Sequence, residues 1–389
     1  MGVGLTHDTP SPRPQVNLMT SKERVLAAMR RQQPDRVPIN VRGVAAWNQE
    51  WVDSRDPSYR PVIEAVREHC DLIVTSGVGG DWSHFLTTAA NEMLETQFID
   101  QGEWTIVRLL VHTPRGDLFQ DVWESKIGHL PLVRKHFVET PEEAARFLSI
   151  PYVKPAYNLT RYRDLCAAWP DHLVLLGLPQ APEMVYDLLG TETLAYWWVE
   201  HRDLLFQLRD AFQERVLDLL GAVLELGAGP LLGCNGSEDM APPMHSAATY
   251  REFALRAFPE MTARIHATGG LLHVHCHNRV NALLEDFVDA GWDVLHPLEP
   301  PPMGDVVLAE AKRRVGEDLC LEGNIQIGDL YGSPTETVVR VVEEAFAAAK
   351  PGGGFILCPS ASPHTPKLTD LTVQNYLAMI ETAVRLRDY

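Results

Sequence analysis

Eight short apolar runs, each bounded by turn residues, recur along this 389-residue chain, and amphipathic stretches separate most of them. The runs are 37–41, 71–75, 173–178, 229–233, 271–275, 294–296, 319–321 and 355–357. Helical-period stretches lie between them at 193–220, 248–268, 281–290, 305–315 and 335–349. Strand and helix alternating in this way predict a parallel sheet with helical crossovers. Eight strands predict a single (β/α)8 TIM barrel, with an open doubly wound sheet as the rival arrangement. One region breaks the rhythm. The stretches 103–110 and 116–124, around the turn Thr113-Pro114-Arg115-Gly116, predict a β-hairpin inserted between the second and third barrel strands.

The first helix is announced at Thr20, with Glu23 three residues on, the pattern of a capping box. Before it, residues 1–17 are rich in Pro, Gly and Thr and lack an apolar h-region. Residues 1–19 are therefore expected to be a flexible segment rather than a signal peptide, and residues 20–389 to form the barrel domain.

Composition narrows the partners. Hydrophobic residues are 45% of the chain, enough for a sizeable core, which excludes a disordered protein. Against 34 Lys and Arg stand 52 Asp and Glu, a formal charge of −18. A surface this acidic repels phosphate backbones and anionic lipid, so nucleic acid and membrane surfaces are not the expected partners. No run of eighteen apolar residues predicts a transmembrane helix. The six scattered cysteines are expected to be thiols, and the compartment the cytoplasm.

Barrels of this kind carry their chemistry at the carboxyl ends of the strands. The residues there include Arg42, Asp81, Gln180, Glu183, Glu238, Arg279, Glu299, Glu322, Asn324 and Cys358. The densest cluster is His273-Val274-His275-Cys276-His277 on the fifth strand. Alternation puts its three histidines on one face. Two histidines two residues apart can share an ion, and a catalytic zinc needs three protein ligands with one position open. Any three of Glu238, His275, His277 and Cys358 would suffice. His273 is expected deeper in the barrel, in a structural role. Arg42 and Arg279 suit a substrate carboxylate. Asp81, Gln180, Glu299 and Asn324 are candidates for hydrogen bonding or proton transfer. Gly352-Gly353-Gly354 precedes a strand and opens no helix, so it is a turn rather than a phosphate loop.

Several of these segments resemble the uroporphyrinogen decarboxylase superfamily. They are Ser21-Lys-Glu-Arg-Val-Leu-Ala-Ala-Met29 followed by Pro34-Asp-Arg-Val-Pro38, Thr113-Pro-Arg-Gly116, Gly177-Leu-Pro-Gln-Ala-Pro182, Gly236-Ser-Glu-Asp239, Tyr250-Arg-Glu-Phe253 and Gly323-Asn-Ile325. The resemblance runs from about residue 20 to the end and implies one (β/α)8 barrel. The superfamily holds decarboxylases and zinc-dependent methyltransferases that work with corrinoid proteins. The decarboxylases carry Met-Arg-Gln-Ala-Gly-Arg after the first strand, where this chain has Val41-Arg42-Gly43-Val44-Ala45-Ala46. Their Phe-Ser-Asp after the second strand is here Val74-Thr75-Ser76, with Asp81 the next acid. The methyltransferases bind zinc through His-x-Cys and a later Cys. Aligned on His275, that cysteine position is His277, and Cys358 lies near the last ligand.

What the resemblance implies is a metal-dependent methyltransferase. It would move a methyl group between a small molecule and a corrinoid carried by a partner protein. Zinc would sit on Glu238, His275, His277 and Cys358. Arg42, Gln180 and Arg279 would bind substrate, and Glu299, Asn324 and Asp81 would assist catalysis. The resemblance also admits a homodimer. The alternative is a metal-free decarboxylase of a carboxylated tetrapyrrole or another small acid, with the histidines as acid–base groups. A non-catalytic scaffold barrel is the third reading, and it has no need of such a cluster.

Overall fold

Thr20 and Glu23 make the reciprocal bonds their spacing predicts. Glu23 N–H donates to the Thr20 hydroxyl at 3.2 Å, and Thr20 N–H donates to the Glu23 carboxylate at 2.9 Å. They open the helix Ser21–Met29. The computed structural model describes residues 19–82, 85–127 and 129–389. Apart from Met19, the expected flexible segment at residues 1–19 lies outside the described residues.

The strands, in chain order, are β1 (Ile73–Ser76), β2 (Gly79–Gly80), β3 (Leu94–Gln101), β4 (Trp104–Thr113), β5 (Gly116–Ser125), β6 (Leu132–Lys135), β7 (Tyr157–Asn158), β8 (Leu173–Gly177), β9 (Leu231–Asn235), β10 (Leu271–His275), β11 (Val294–His296), β12 (Cys320–Ile325) and β13 (Phe355–Pro359). Seven of them form one parallel sheet in the order β1-β8-β9-β10-β11-β12-β13. This is an α/β fold with a curled, barrel-like parallel sheet. Strands β3 to β6 form a separate antiparallel sheet of four, lying between β1 and β8 in sequence. The stretch read as a hairpin supplies its two central strands, β4 and β5.

The first expected strand, 37–41, shrinks to a single parallel bridge between Ile39 and Leu357. Pro38 has no N–H to give a ladder. The segment is nonetheless bonded on both sides. Asn40 N–H donates to Leu357 O at 2.9 Å, Leu357 N–H donates to Pro38 O at 3.0 Å, and Asp71 N–H donates to Ile39 O at 2.7 Å. It thus lies between β13 and the approach to β1.

Two helical expectations also change. The stretch 193–220 belongs to two helices, Ala181–Glu200 and Arg202–Glu225, parted at the non-helical His201. The first of them kinks at Gly190, whose φ is +72° and whose missing Cβ leaves room for the His136 ring. The stretch 248–268 divides into Ala247–Phe253, a short 3-10 turn and Phe258–His266. Pro259 sits at the start of the last piece, where a helix tolerates it, and interrupts any longer one.

One end of the barrel is filled. Val25, Ala28 and Met29 pack on Leu173, Leu231, Leu271, Val294, Cys320 and Ile356. Those are the first residues of β8 to β12 and the second of β13. Helix Ser21–Met29 therefore covers the amino ends of the strands. Arg24 holds it there, donating to Asp35 at 2.6 and 2.8 Å and to Asp71 at 2.6 Å. Access is left to the carboxyl ends. Among the described residues, no helix is long and apolar enough to cross a membrane. All six cysteines are free.

Candidate functional site

Along β10 the odd positions face the barrel interior. Leu271 meets the covering helix, His273 lies above it, and His275 comes at the mouth. His273 is buried, and its Nε2 lies 2.7 Å from Glu322 Oε2. Glu322 is itself fully buried and also accepts from Asn40 Nδ2 at 2.6 Å. Burial pushes this carboxyl up, but the charge and hydrogen bond of His273 outweigh it and hold the acid well below the carboxylate range. His273 thus lies as deep as its position predicts, at the base of the cavity.

At the mouth, Glu238, His275 and His277 converge. One ligand atom from each lies within 4.8 Å of the others. Zinc bonds of about 2.0–2.2 Å set tetrahedral neighbours roughly 3.4 Å apart, so small side-chain rotations would close the set. Each member is oriented by a neighbour. His296 Nε2 faces the Pro359 carbonyl at 3.0 Å, so that nitrogen carries the proton. Its Nδ1 is then an acceptor, and His275 Nδ1, 2.7 Å away, donates to it. The lone pair of His275 is left on Nε2, 3.7 Å from Glu238 Oε2. Burial, then the charge of Arg42, lowers the pKa of His275 and keeps it neutral. His277 Nδ1 pairs with Glu299 Oε2 at 3.1 Å. Burial disfavours charge on His277, but the Glu299 bond and the Glu238 charge outweigh it and raise its pKa. Glu238 Oε2 accepts the His277 N–H at 3.0 Å.

The loops that deliver these groups are strained. Ser237 and Asn278 are two of only four non-glycine residues with positive φ among the described residues, at 53° and 82°. Such strain gathers at functional sites. Ser237 donates from its hydroxyl and its backbone N–H to the side-chain oxygen of Gln180. Asn278 donates from its backbone to Glu299 at 3.1 Å and from its side chain to Glu238 O at 2.8 Å.

Beside the triplet opens a cavity of about 420 Å³, lined by Arg42, Trp47, Gln180, Glu183, Asn235 and His275 among others. Glu183 stands in the first turn of helix Ala181–Glu200, where the helix dipole favours a carboxylate. Burial, then the charges of Asp239, Asp187 and Glu238, outweigh that and raise its pKa to about 8. At neutral pH it is mostly a carboxylic acid.

Not every expected residue arrives. Cys358 groups instead with His296 and Glu322 in the buried floor, within 4.8 Å of both, and burial pushes its thiol pKa well up. Asp81 is exposed and bonded to Asn91 at 2.8 Å, away from the cavity lining. Arg279 is exposed and also outside the lining. Asn324 is half-buried and, like Glu299, does not line the cavity. Arg42 and Gln180 do line it. The groups without an assigned role in the sequence are Glu183 and His296. Both stand at strand ends, but what they do depends on neighbours from other strands.

A family model described as uroporphyrinogen decarboxylase (URO-D) matches residues 122–385. The chain belongs to the uroporphyrinogen decarboxylase family. A uroporphyrinogen decarboxylase of Shewanella pealeana is 32% identical over 110 residues. That match spans 28% of this chain and 29% of that enzyme, less than a third of its length. Among solved structures, a methyltransferase from Methanosarcina mazei aligns with a TM-score of 0.59 and 18% identity. The alignment covers 94% of this chain and 98% of that one, a likeness of fold alone. The curated sequence relative is thus a decarboxylase, and the protein of like fold a methyltransferase.

Proposed function

We propose that this chain is a metal-dependent methyltransferase of the uroporphyrinogen decarboxylase family, working between a small molecule and a corrinoid protein. One observation carries the reading: Glu238, His275 and His277 converge at the open mouth, each oriented by a hydrogen bond. Ligand sets of two imidazoles and one carboxylate suit zinc, and outer partners like these tune such sites. The ligand set is three residues, since Cys358 is drawn into the floor. When bound, zinc would supply a Lewis acid toward an oxygen or nitrogen of the substrate. Arg42 binds the anionic part of that substrate. Gln180 fixes the Ser237 loop that carries Glu238. Glu299 orients His277, and Asn324 is left for hydrogen bonding near the mouth.

The same reading takes 37–41 as the eighth stave of the barrel, the β3–β6 sheet as its insertion, and residues 20–389 as one domain. Six free thiols agree with a reducing compartment, the cytoplasm. The partner supplies the corrinoid, and a homodimer remains part of the reading.

The test is elemental analysis of the purified protein beside a His275→Ala/His277→Ala variant. The expected result is about one zinc per chain, as for a single catalytic site, lost in the variant. Metal-free protein in both cases overturns the proposal. It would favour decarboxylation, for which the protonated Glu183 is a ready proton donor.

A further inference from the structure

Arg42 stands at the carboxyl end of segment 37–41 and lines the cavity half-buried. Among the described residues, no carboxylate pairs with its guanidinium, although the chain carries 52 acids. Glu183 lines the same cavity after β8. Its Oε2 is buried and has no hydrogen-bond partner among the described residues. Segment 37–41 and β8 lie on opposite sides of β1, so the two groups reach the cavity from different parts of its wall. Much of the rest is apolar: Trp47, Leu72, Ile73, Leu175 and Leu178.

Glu183 is bonded through its carboxyl to Asn235, but one oxygen is left over, so an unpaired cation and a free carboxyl oxygen face the same cavity, each able to take a ligand atom. We infer that the cavity takes a compact, largely apolar molecule with one anionic group, bound by Arg42, and a separate hydrogen-bond acceptor facing Glu183. This rests on the proposed site only in placing the substrate beside His275. It deepens that reading by fixing a substrate class, and it excludes tetrapyrroles bearing many carboxylates. Apart from His273, whose ring is already paired with Glu322, Arg42 is the one cationic side chain of the lining, so further carboxylates would be desolvated without partners. They would also face Glu183 and its acidic neighbours Asp239, Asp187 and Glu238. The volume of about 420 Å³ lies at the small end for ligand pockets.

The probe is 4-fluorobenzoate, read by fluorine NMR line broadening on protein stripped with a chelator. Stripping separates the outcomes, because metal content has no part in this signal and this signal has no part in the elemental analysis. The native protein is expected to broaden the line. Arg42→Met should weaken binding tenfold or more, because a guanidinium–carboxylate pair is lost. 4-Fluorobenzamide, without the charge, should bind as weakly to the native protein as the acid does to that variant. With 4-fluoro-3-methoxybenzoate, which adds an acceptor, affinity should rise in native protein, and Glu183→Ala should abolish the gain. Circular dichroism checks that both variants fold, and the benzamide comparison stands even if Arg42→Met does not. Equal binding of the acid and the amide, binding unchanged in a folded Arg42→Met, or displacement of the probe by uroporphyrin at equal concentration would each overturn the inference.

Discussion

A histidine can bind a metal only through a nitrogen that carries no proton, and in His275 the choice of nitrogen is made two residues away in the hydrogen-bond chain. The Pro359 carbonyl can only accept, so His296 donates from Nε2, and His275 must donate from Nδ1. His296→Leu would remove the acceptor and free the His275 ring to turn. The expected result is a fall in zinc affinity of roughly 10–100-fold, the usual effect of losing such an outer partner. Competition with a chromogenic chelator measures it, with His296→Gln as the variant that keeps a polar group. Unchanged affinity in both would remove His296 from the site. The pairing of His275 with His277 was legible from their spacing, although β10 ends at His275 and His277 follows it in the loop, and Glu238 from its place after the preceding strand. The role of His296 was not, because it depends on a carbonyl 63 residues away. Cys358 misled for a related reason. Its position at a strand end suggested the mouth, but its side chain turns toward the Glu322 floor.

At the scale of elements, the decisive piece for function is far from the chemistry. Helix Ser21–Met29 shuts the amino end of the barrel and leaves the carboxyl end as the way in. Met29 is fully buried in that closure. Met29→Ala is expected to cost about 2–5 kcal/mol of stability, the range for such core truncations, measured by denaturant unfolding. Zinc and probe affinity should not change below the unfolding transition, since the site lies at the other end. A matched loss of ligand affinity in the folded variant would contradict this separation of roles. The start of this helix was plain in the sequence, because a capping box is a local device. The alternation of strands and helices was equally plain. The parts that were not legible obey longer-range rules. Pro38 reduces an apolar run to a bridge because the ladder needs its N–H, and Pro259 breaks a helix whose apolar pattern runs on. The outer strands β3 and β6 have no strong apolar alternation of their own and are fixed by pairing with β4 and β5.

Across the whole molecule, the buried titratable groups pull stability in two directions with pH. A group whose folded pKa lies below its unfolded value contributes stability that is lost as pH falls. Asp35 is of this kind: burial works against it, but the Arg24 hydrogen bonds and charge outweigh burial and lower its pKa. So are His275 and His296, both lowered by burial first and by the charge of Arg42 second, His296 to about 3. The histidines weaken the fold as pH drops below their unfolded value of about 6.5, and Asp35 below about 3.9. Glu183 acts oppositely. Raised to about 8 by burial and then by Asp239, Asp187 and Glu238, it binds a proton in the folded state that the unfolded chain has already released. Stability due to it therefore falls as pH rises from about 4.3 to 8. Glu238 and Asp239, raised chiefly by burial, have the same sign, and so does His277, whose carboxylate neighbours outweigh burial. The metal-free protein should thus be most stable near pH 6.5, with the histidines setting the acid limb and Glu183 much of the alkaline one. Glu183→Gln keeps the shape without the proton. It should make the limb between pH 6.5 and 8 shallower by up to one proton, about 1.4 kcal/mol per pH unit, while leaving the acid limb in place. Urea unfolding of chelated protein from pH 5 to 8.5 measures both limbs. An alkaline limb of the same slope in the glutamine variant would mean that Glu183 is already ionised in the folded state, and it could not then be the hydrogen-bond donor of the cavity.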